Sequence, residues 1–283
     1  MNQEIFSLES RSKIITTTTK PSHLETESKE HPFKHFCFDF IEKNFHKLSQ
    51  REIARQLNVG KTSVNNWSRK LGLRYKKFAV DEGFFKKWSP EMAYILGYIA
   101  TDGNIAWDKK KCYNSLTITA CAKDRKHLEK VRKVMQITKP LLFGHATNSY
   151  RLIIANKTIC VDLISFGITP RKSLTMKLPA VPADFLSHFI RGIIDGDGSV
   201  KFYNRTRSPY FEISISSGSP EFIKDLRKAI LENVGVDSRI FKTPSCFLLR
   251  YSCKRGLSLA WWIYHGASLF LARKRDKYLE AIK

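Results

Sequence analysis

The sequence predicts an α+β protein built from two copies of one unit, with a small all-α domain ahead of them. The chain matches itself without a gap at an offset of 95 residues. Inside each copy the hydrophobic period switches between helix and strand in the same order, and the stretch before the first copy carries only helical periods. With 283 residues, 42% of them hydrophobic, there is enough apolar material to bury cores for such an arrangement.

Residues 1–32 are rich in Ser, Thr, Lys and Glu and show no sustained apolar period, which predicts a flexible tail; five glutamates argue against a transit peptide. Residues 33–78 turn helical in three segments, Phe36 to Phe45, Ser49 to Leu57 and Thr62 to Leu71. Ser49 stands as an N-cap with Glu52 completing a capping box. Ile53, Ala54 and Leu57 make one apolar face, Val64, Trp67 and Leu71 the next, and Gly60 supplies a positive φ in the turn between them. Residues 79–90 read as a linker.

The two copies are expected at 91–177 and 185–283, joined by 178–184. Gly97 meets Gly192, Ile99 meets Ile194, Asp102 meets Asp197 and Gly103 meets Gly198; further on, Ile118 meets Ile213 and Arg132 meets Arg227. Pro90 to Thr101 and Ala183 to Gly196 are helical. Leu116, Ile118 and Ala120, like Phe211, Ile213 and Ile215, alternate as half-buried strands do. Asp124 and Ser219 are placed as N-caps for helices Arg125 to Met135 and Pro220 to Glu232. Strands Tyr150 to Ala155 and Phe247 to Ser252, then helices Ile159 to Phe166 and Leu257 to Tyr264, complete the copies.

Composition narrows the partner. Lys and Arg number 49 against 26 acids, a formal charge of +23 that calls for a polyanion. No apolar run approaches the ~20 residues of a bilayer span, so no membrane partner is expected. The six cysteines form no CxxC pair and no signal peptide precedes them, so the protein is expected to be intracellular, not secreted, with its cysteines as thiols. No histidine falls in a zinc-ligand spacing.

Chemistry points instead to the repeated helices. They end "ILGYIATDG" and "IRGIIDGDG", with small residues four apart on one face, Gly97 with Thr101 and Gly192 with Gly196. Helices packed along that face approach closely and bring Asp102 and Asp197 side by side. Two carboxylates at helix C-termini repel each other and the helix ends unless a cation sits between them. An oxygen-rich site of this kind suits Mg²⁺, with Mn²⁺ as substitute, completed by water and a phosphate. The implied reaction is metal-assisted hydrolysis of a phosphodiester. For either Asp-Gly alone, a helix-ending turn is the simpler account; two in register reverse that preference.

From about Trp88 onward the paired helices resemble the double-motif LAGLIDADG family of homing endonucleases. The resemblance implies a monomer of two pseudo-twofold αββαββα repeats, whose saddle-shaped antiparallel sheets lie along the major groove of double-stranded DNA. By position it makes Asp102 and Asp197 the catalytic metal ligands, with the carbonyls of Thr101 and Gly196 beside them. The motif's earlier acid survives as Asp195 in the second copy and is Ala100 in the first. The family also sets a basic residue near each scissile phosphate, for which Lys157 and Lys254 are the candidates. Arg171 with Lys172, and Arg273 with Lys274, are a further matched pair expected to position phosphates. DNA-facing strand positions are expected at Trp107, Lys109, Lys111, Lys123, Arg151, Lys201, Tyr203, Arg205, Arg207 and Arg250.

The string from Leu48 to Leu73 resembles a helix-turn-helix of bacterial regulators and recombinases. That implies a second helix in the major groove, presenting Lys61, Thr62, Ser63, Asn65, Asn66 and Arg69, in a region with eleven Lys or Arg against three acids. The expected function is a site-specific double-strand endonuclease, free-standing and encoded in an intron or mobile gene. The alternative is a DNA-binding regulator or RNA-splicing maturase that has lost cleavage; retention of both acids favours the enzyme.

Overall fold

The computed structural model describes residues 32–45, 47–73, 78–108, 113–204 and 209–283. The chain divides into two compact units, Met1–Lys76 and Lys77–Lys283. The expected tail, apart from Pro32, and the sheet positions Lys109, Lys111, Arg205 and Arg207 lie outside the described residues.

In the first unit, α1 (Pro32–Asn44), α2 (Gln50–Gln56) and α3 (Lys61–Lys70) surround a core of Cys37, Ile41, Phe45, Ile53, Ala54, Leu57 and Val64. Ser49 caps α2 as expected, its Oγ accepting from the Glu52 amide at 3.2 Å. The Glu52 carboxylate turns outward, accepting from Arg55 and Gln56. The turn differs from expectation in one residue. Asn58 takes the positive φ, 50°, while Gly60 has φ −68° and serves as the α3 N-cap. Asn tolerates the left-handed region because its short polar side chain fits there.

The second unit holds both repeats. The first runs α4 (Pro90–Asp102), β1 (Gly103–Asp108), β2 (Tyr113–Cys121), α5 (Arg125–Val134), β3 (Leu142–Gly144), β4 (Ser149–Ile154) and α6 (Lys157–Ser165). The second runs α7 (Ala183–Gly196), β5 (Ser199–Tyr203), β6 (Tyr210–Ser217), α8 (Pro220–Val234), β7 (Ile240–Lys242), β8 (Phe247–Ser252) and α9 (Cys253–Tyr264). Each is αββαββα. A further helix, α10 (Ala272–Ala281), follows; the sequence had not suggested it. The two sheets have the same antiparallel order, β1-β2-β4-β3 and β5-β6-β8-β7. Their registers correspond too: Thr119 pairs with Arg151, and Ser214 pairs with Arg250.

The 79–90 stretch is no linker. Ala79 exchanges hydrogen bonds with Thr138, Phe85 is buried, and Trp88 packs on Phe166 and Phe185. Its aromatic residues bury apolar area that a solvated linker would leave in water.

The centre of the unit is the α4–α7 contact. α4 is buried from Met92 to Ala100, and α7 over most of its last two turns. A Cβ on Gly97 would fall 2.1 Å from the Phe189 carbonyl oxygen, and one on Gly192 would fall 2.1 Å from that of Tyr94. Only glycine permits backbones this close, so the small-residue face set by the sequence is the helix interface.

The arms that trail α6 and α9 cross between repeats. Ser219 at the α8 N-cap donates to Met176 O at 2.7 Å, while Arg273 meets Asp124 at the α5 N-cap through two 2.9 Å hydrogen bonds. Asp124 therefore occupies its expected place without capping by its side chain, because its carboxylate is committed to Arg273. Ser219 does cap, accepting from Phe222 N.

Candidate metal centre and nucleic-acid faces

The close helix packing delivers Asp102 and Asp197 to one place. Asp102 is the last residue of α4 and Asp197 the C-cap of α7. A Cβ on Gly196 would lie 1.9 Å from Thr101 Oγ1 and 3.3 Å from Asp102 Oδ2, so the helix ends touch. Burial, then the charge of Asp197, raises the Asp102 carboxyl to about 7. Burial raises Asp197 as well, opposed by Lys274 and Lys172. A cavity of about 90 Å³, lined in part by Thr101, Lys172, Asp197 and Ser217, opens beside them.

Two lysines serve this centre from within. Lys274, 3% exposed, directs Nζ at the carbonyls of Ile194, Asp195, Gly196 and Gly198 at 2.6–3.0 Å. Lys172, 8% exposed, donates to Gly103 O. Gly103 and Gly198 are equivalent in the repeat, so each lysine holds the backbone just past its own aspartate. The ammonium groups offset the partial negative charge of the helix ends as well as the carboxylates. Burial lowers both lysines, Lys274 to about 8, while the surrounding aspartates oppose the shift. The sequence placed these two on phosphates; the structure turns them inward to carbonyls. Their neighbours Arg171 and Arg273 stay near the surface, Arg273 paired with Asp124.

Behind the site, Asp195 is buried among three donors: Tyr94 Oη at 2.9 Å, Tyr264 Oη at 3.0 Å and Leu271 N at 2.7 Å. It anchors the arm that carries Lys274. Tyr94 also meets His127 Nε2 at 2.9 Å, and burial pulls that histidine down to about 4. Because Tyr94 donates to Asp195, His127 Nε2 is the donor to Tyr94. Sequence reasoning missed Tyr94, His127 and Tyr264, and also Tyr98, whose hydroxyl hydrogen-bonds Asp102; their helical spacing signalled only core.

Lys157 and Lys254 stand exposed at the starts of α6 and α9. Among the described residues no hydrogen bond or ion pair joins either to Asp102 or Asp197. The cations acting on the aspartates are Lys172 and Lys274. Gly196 O, expected beside a metal, already accepts from Lys274.

The outward faces of the sheets carry Arg151 and, on the other sheet, Lys201, Tyr203 and Arg250. Lys123 is exposed in the turn after β2. Trp107 is a correction: it shares the face of Ile105 and packs on the core, since residues two apart on a strand point the same way. On α3, Lys61, Thr62, Asn66 and Arg69 are exposed and Ser63 half-buried, while Asn65 accepts from Gln50.

Residues 184–258 match the family model of a LAGLIDADG-like domain. That segment is similar to LAGLIDADG-like domains. It covers α7 through the first half of α9, and the first repeat shares its element order. Among solved structures, the chain is similar to the LAGLIDADG homing endonuclease I-LtrWI bound to target DNA, at 11% identity over 71% of this chain and 89% of that one, TM-score 0.46. It is similar to the homing endonuclease I-WcaI bound to its DNA recognition sequence at 13% identity, 74% and 96% coverage, TM-score 0.48. For I-DmoI in complex with DNA and Ca the values are 13%, 71% and 99%, and 0.49. No curated protein matches significantly. Among the described residues, no helix is long and apolar enough to cross a membrane, and the five described cysteines are free.

Proposed function

We propose that the chain is a site-specific endonuclease that cuts both strands of double-stranded DNA, with Asp102 and Asp197 as its paired metal ligands. The observation that carries this reading is the convergence of two desolvated carboxylates at touching helix ends. Such a pair is electrostatically unfavourable alone and is relieved by a divalent cation. No group of three or more His, Cys, Asp or Glu side chains suited to a metal occurs among the described residues. Two carboxylates with open remaining positions fit Mg²⁺ or Mn²⁺, which keep waters and accept substrate phosphate oxygens.

Asp102 and Asp197 would hold the ion, with the carbonyls of Thr101 and Gly196 proposed beside them, the Gly196 oxygen also accepting from Lys274 at 3.0 Å. When bound, the metal supplies an activated water and stabilises the leaving oxygen. The protein's own part is to fix the carboxylates by glycine packing and to hold the helix ends with Lys172 and Lys274. Lys157 and Lys254, exposed at equivalent helix starts, are proposed to meet the scissile phosphates. The charge of +23 draws DNA to the sheets. The first unit is proposed as a helix-turn-helix with α3 in the major groove, lengthening the recognised site. An intracellular setting and an origin in an intron or mobile element belong to the same proposal.

Selection of bound duplexes from a randomised DNA library, followed by addition of Mg²⁺ or Mn²⁺, tests it. The expected result is double-strand breaks at one sequence. Tight binding with no cleavage in either metal would favour a silent DNA-binding or RNA-splicing derivative.

A further inference from the structure

The outward face of the β5–β8 sheet carries an acid where a surface meant for a polyanion should have none. Glu212 lies on that face, paired across the strands with Lys201 and Ser252, yet it is only 6% exposed. Three groups hold it. Tyr210 Oη donates at 2.5 Å, Ser252 Oγ lies at 3.5 Å, and Arg250 Nε stands 3.4 Å from Oε2. The Arg250 guanidinium also sits 5.4 Å from the centre of the Phe241 ring. Its side chain nevertheless stays 46% exposed. A carboxylate near Nε and an aromatic ring beside the guanidinium restrict its rotation, and the Nη1–Nη2 edge lies opposite Nε, away from the carboxylate.

We propose that Arg250, oriented by Glu212, reads a guanine in the half of the target that lies under the second repeat. This rests on the nucleic-acid reading above and adds a residue-level rule to it. A planar fork held at fixed orientation matches guanine O6 and N7, whereas a freely rotating arginine settles on phosphates as readily. Glu212 is a positioning residue: it is only 6% exposed, and Tyr210, Ser252 and Arg250 all meet its Oε2.

The repeat supplies an internal control. Arg151 opposite Thr119 is the counterpart of Arg250 opposite Ser214. At the position of Glu212, however, the first repeat has Thr117. The first sheet therefore presents the same arginine without the acid behind it, and the two half-sites are read with unequal stringency, strict under Arg250 and relaxed under Arg151.

The test is binding selection by the full chain on randomised duplexes in EDTA, comparing wild type with Arg250→Lys, Glu212→Gln and Thr117→Glu. Wild type is expected to select guanine strongly at one position of one half-site. Arg250→Lys and Glu212→Gln should each reduce that preference about tenfold, with affinity for the unselected pool changed by less than about threefold, since the phosphate contacts remain. Thr117→Glu should sharpen guanine selection at the symmetry-related position, a gain that a merely structural role for Glu212 would not produce. Unchanged guanine preference in Arg250→Lys and Glu212→Gln, or no gain in Thr117→Glu, overturns the inference while leaving the nuclease reading intact. Failure of wild type to bind any duplex overturns both.

Discussion

Replacing Asp102 by Asn should make the protein more stable at pH 8, although it removes a residue proposed to be essential. The Asp102 carboxyl is raised from 3.8 to about 7, first by burial and then by Asp197. A raised acid binds its proton more tightly folded than unfolded. Ionised Asp102 therefore opposes folding above about pH 7, and the penalty disappears below 3.8, where both states are protonated. At about 1.4 kcal/mol for each pH step between those values, the penalty reaches up to about 4 kcal/mol. Asn keeps the shape and carries no charge. Urea unfolding in EDTA should show Asp102→Asn gaining a few kcal/mol at pH 8, with the gain shrinking steadily toward pH 4. A variant equal to or weaker than wild type at pH 8 would refute the claim that the Asp102 carboxylate is held, buried and beside Asp197, at a cost to folding.

Lys274→Met removes a buried ammonium from four carbonyls, and unfolding midpoints should show a loss of about 3–5 kcal/mol, with Lys172→Met losing less because it has one carbonyl partner. Gly192→Ala forces a methyl to 2.1 Å from the Tyr94 carbonyl oxygen; the helices must part, calorimetry should record a loss of at least about 2 kcal/mol, and cleavage should fall with it. Deleting residues 1–76 should weaken duplex binding and flatten its dependence on salt; an unchanged slope would exclude a DNA-reading role for α3.

Much of this was legible in the chain because the repeat is ungapped from Gly97 and Gly192 to Arg132 and Arg227. The offset that aligned Asp102 with Asp197 also aligned Gly97 with Gly192, and glycine at a helix interface has one reading once two copies share it. The placement of Lys172 and Lys274 was not legible. It depends on the path of arms that fold back onto helix ends far away in sequence, and a basic residue in a loop looks the same whether it meets phosphate or carbonyl. Asp124 shows the same limit, since its partner Arg273 is 149 residues away. The place of Trp107 was legible: counting by two from core Ile105 puts it on the inner face. The aromatic residues Phe84, Phe85 and Trp88 likewise argued against a solvated linker.

The most direct test of the central claim is single-turnover cleavage of the selected DNA in Mg²⁺ by wild type, Asp102→Asn and Asp197→Asn, with binding measured in parallel in EDTA. Both variants should bind as wild type does, and each should cut at least about a hundredfold more slowly. Wild-type cleavage rates in either variant would contradict the assignment of the two helix ends as one catalytic metal site.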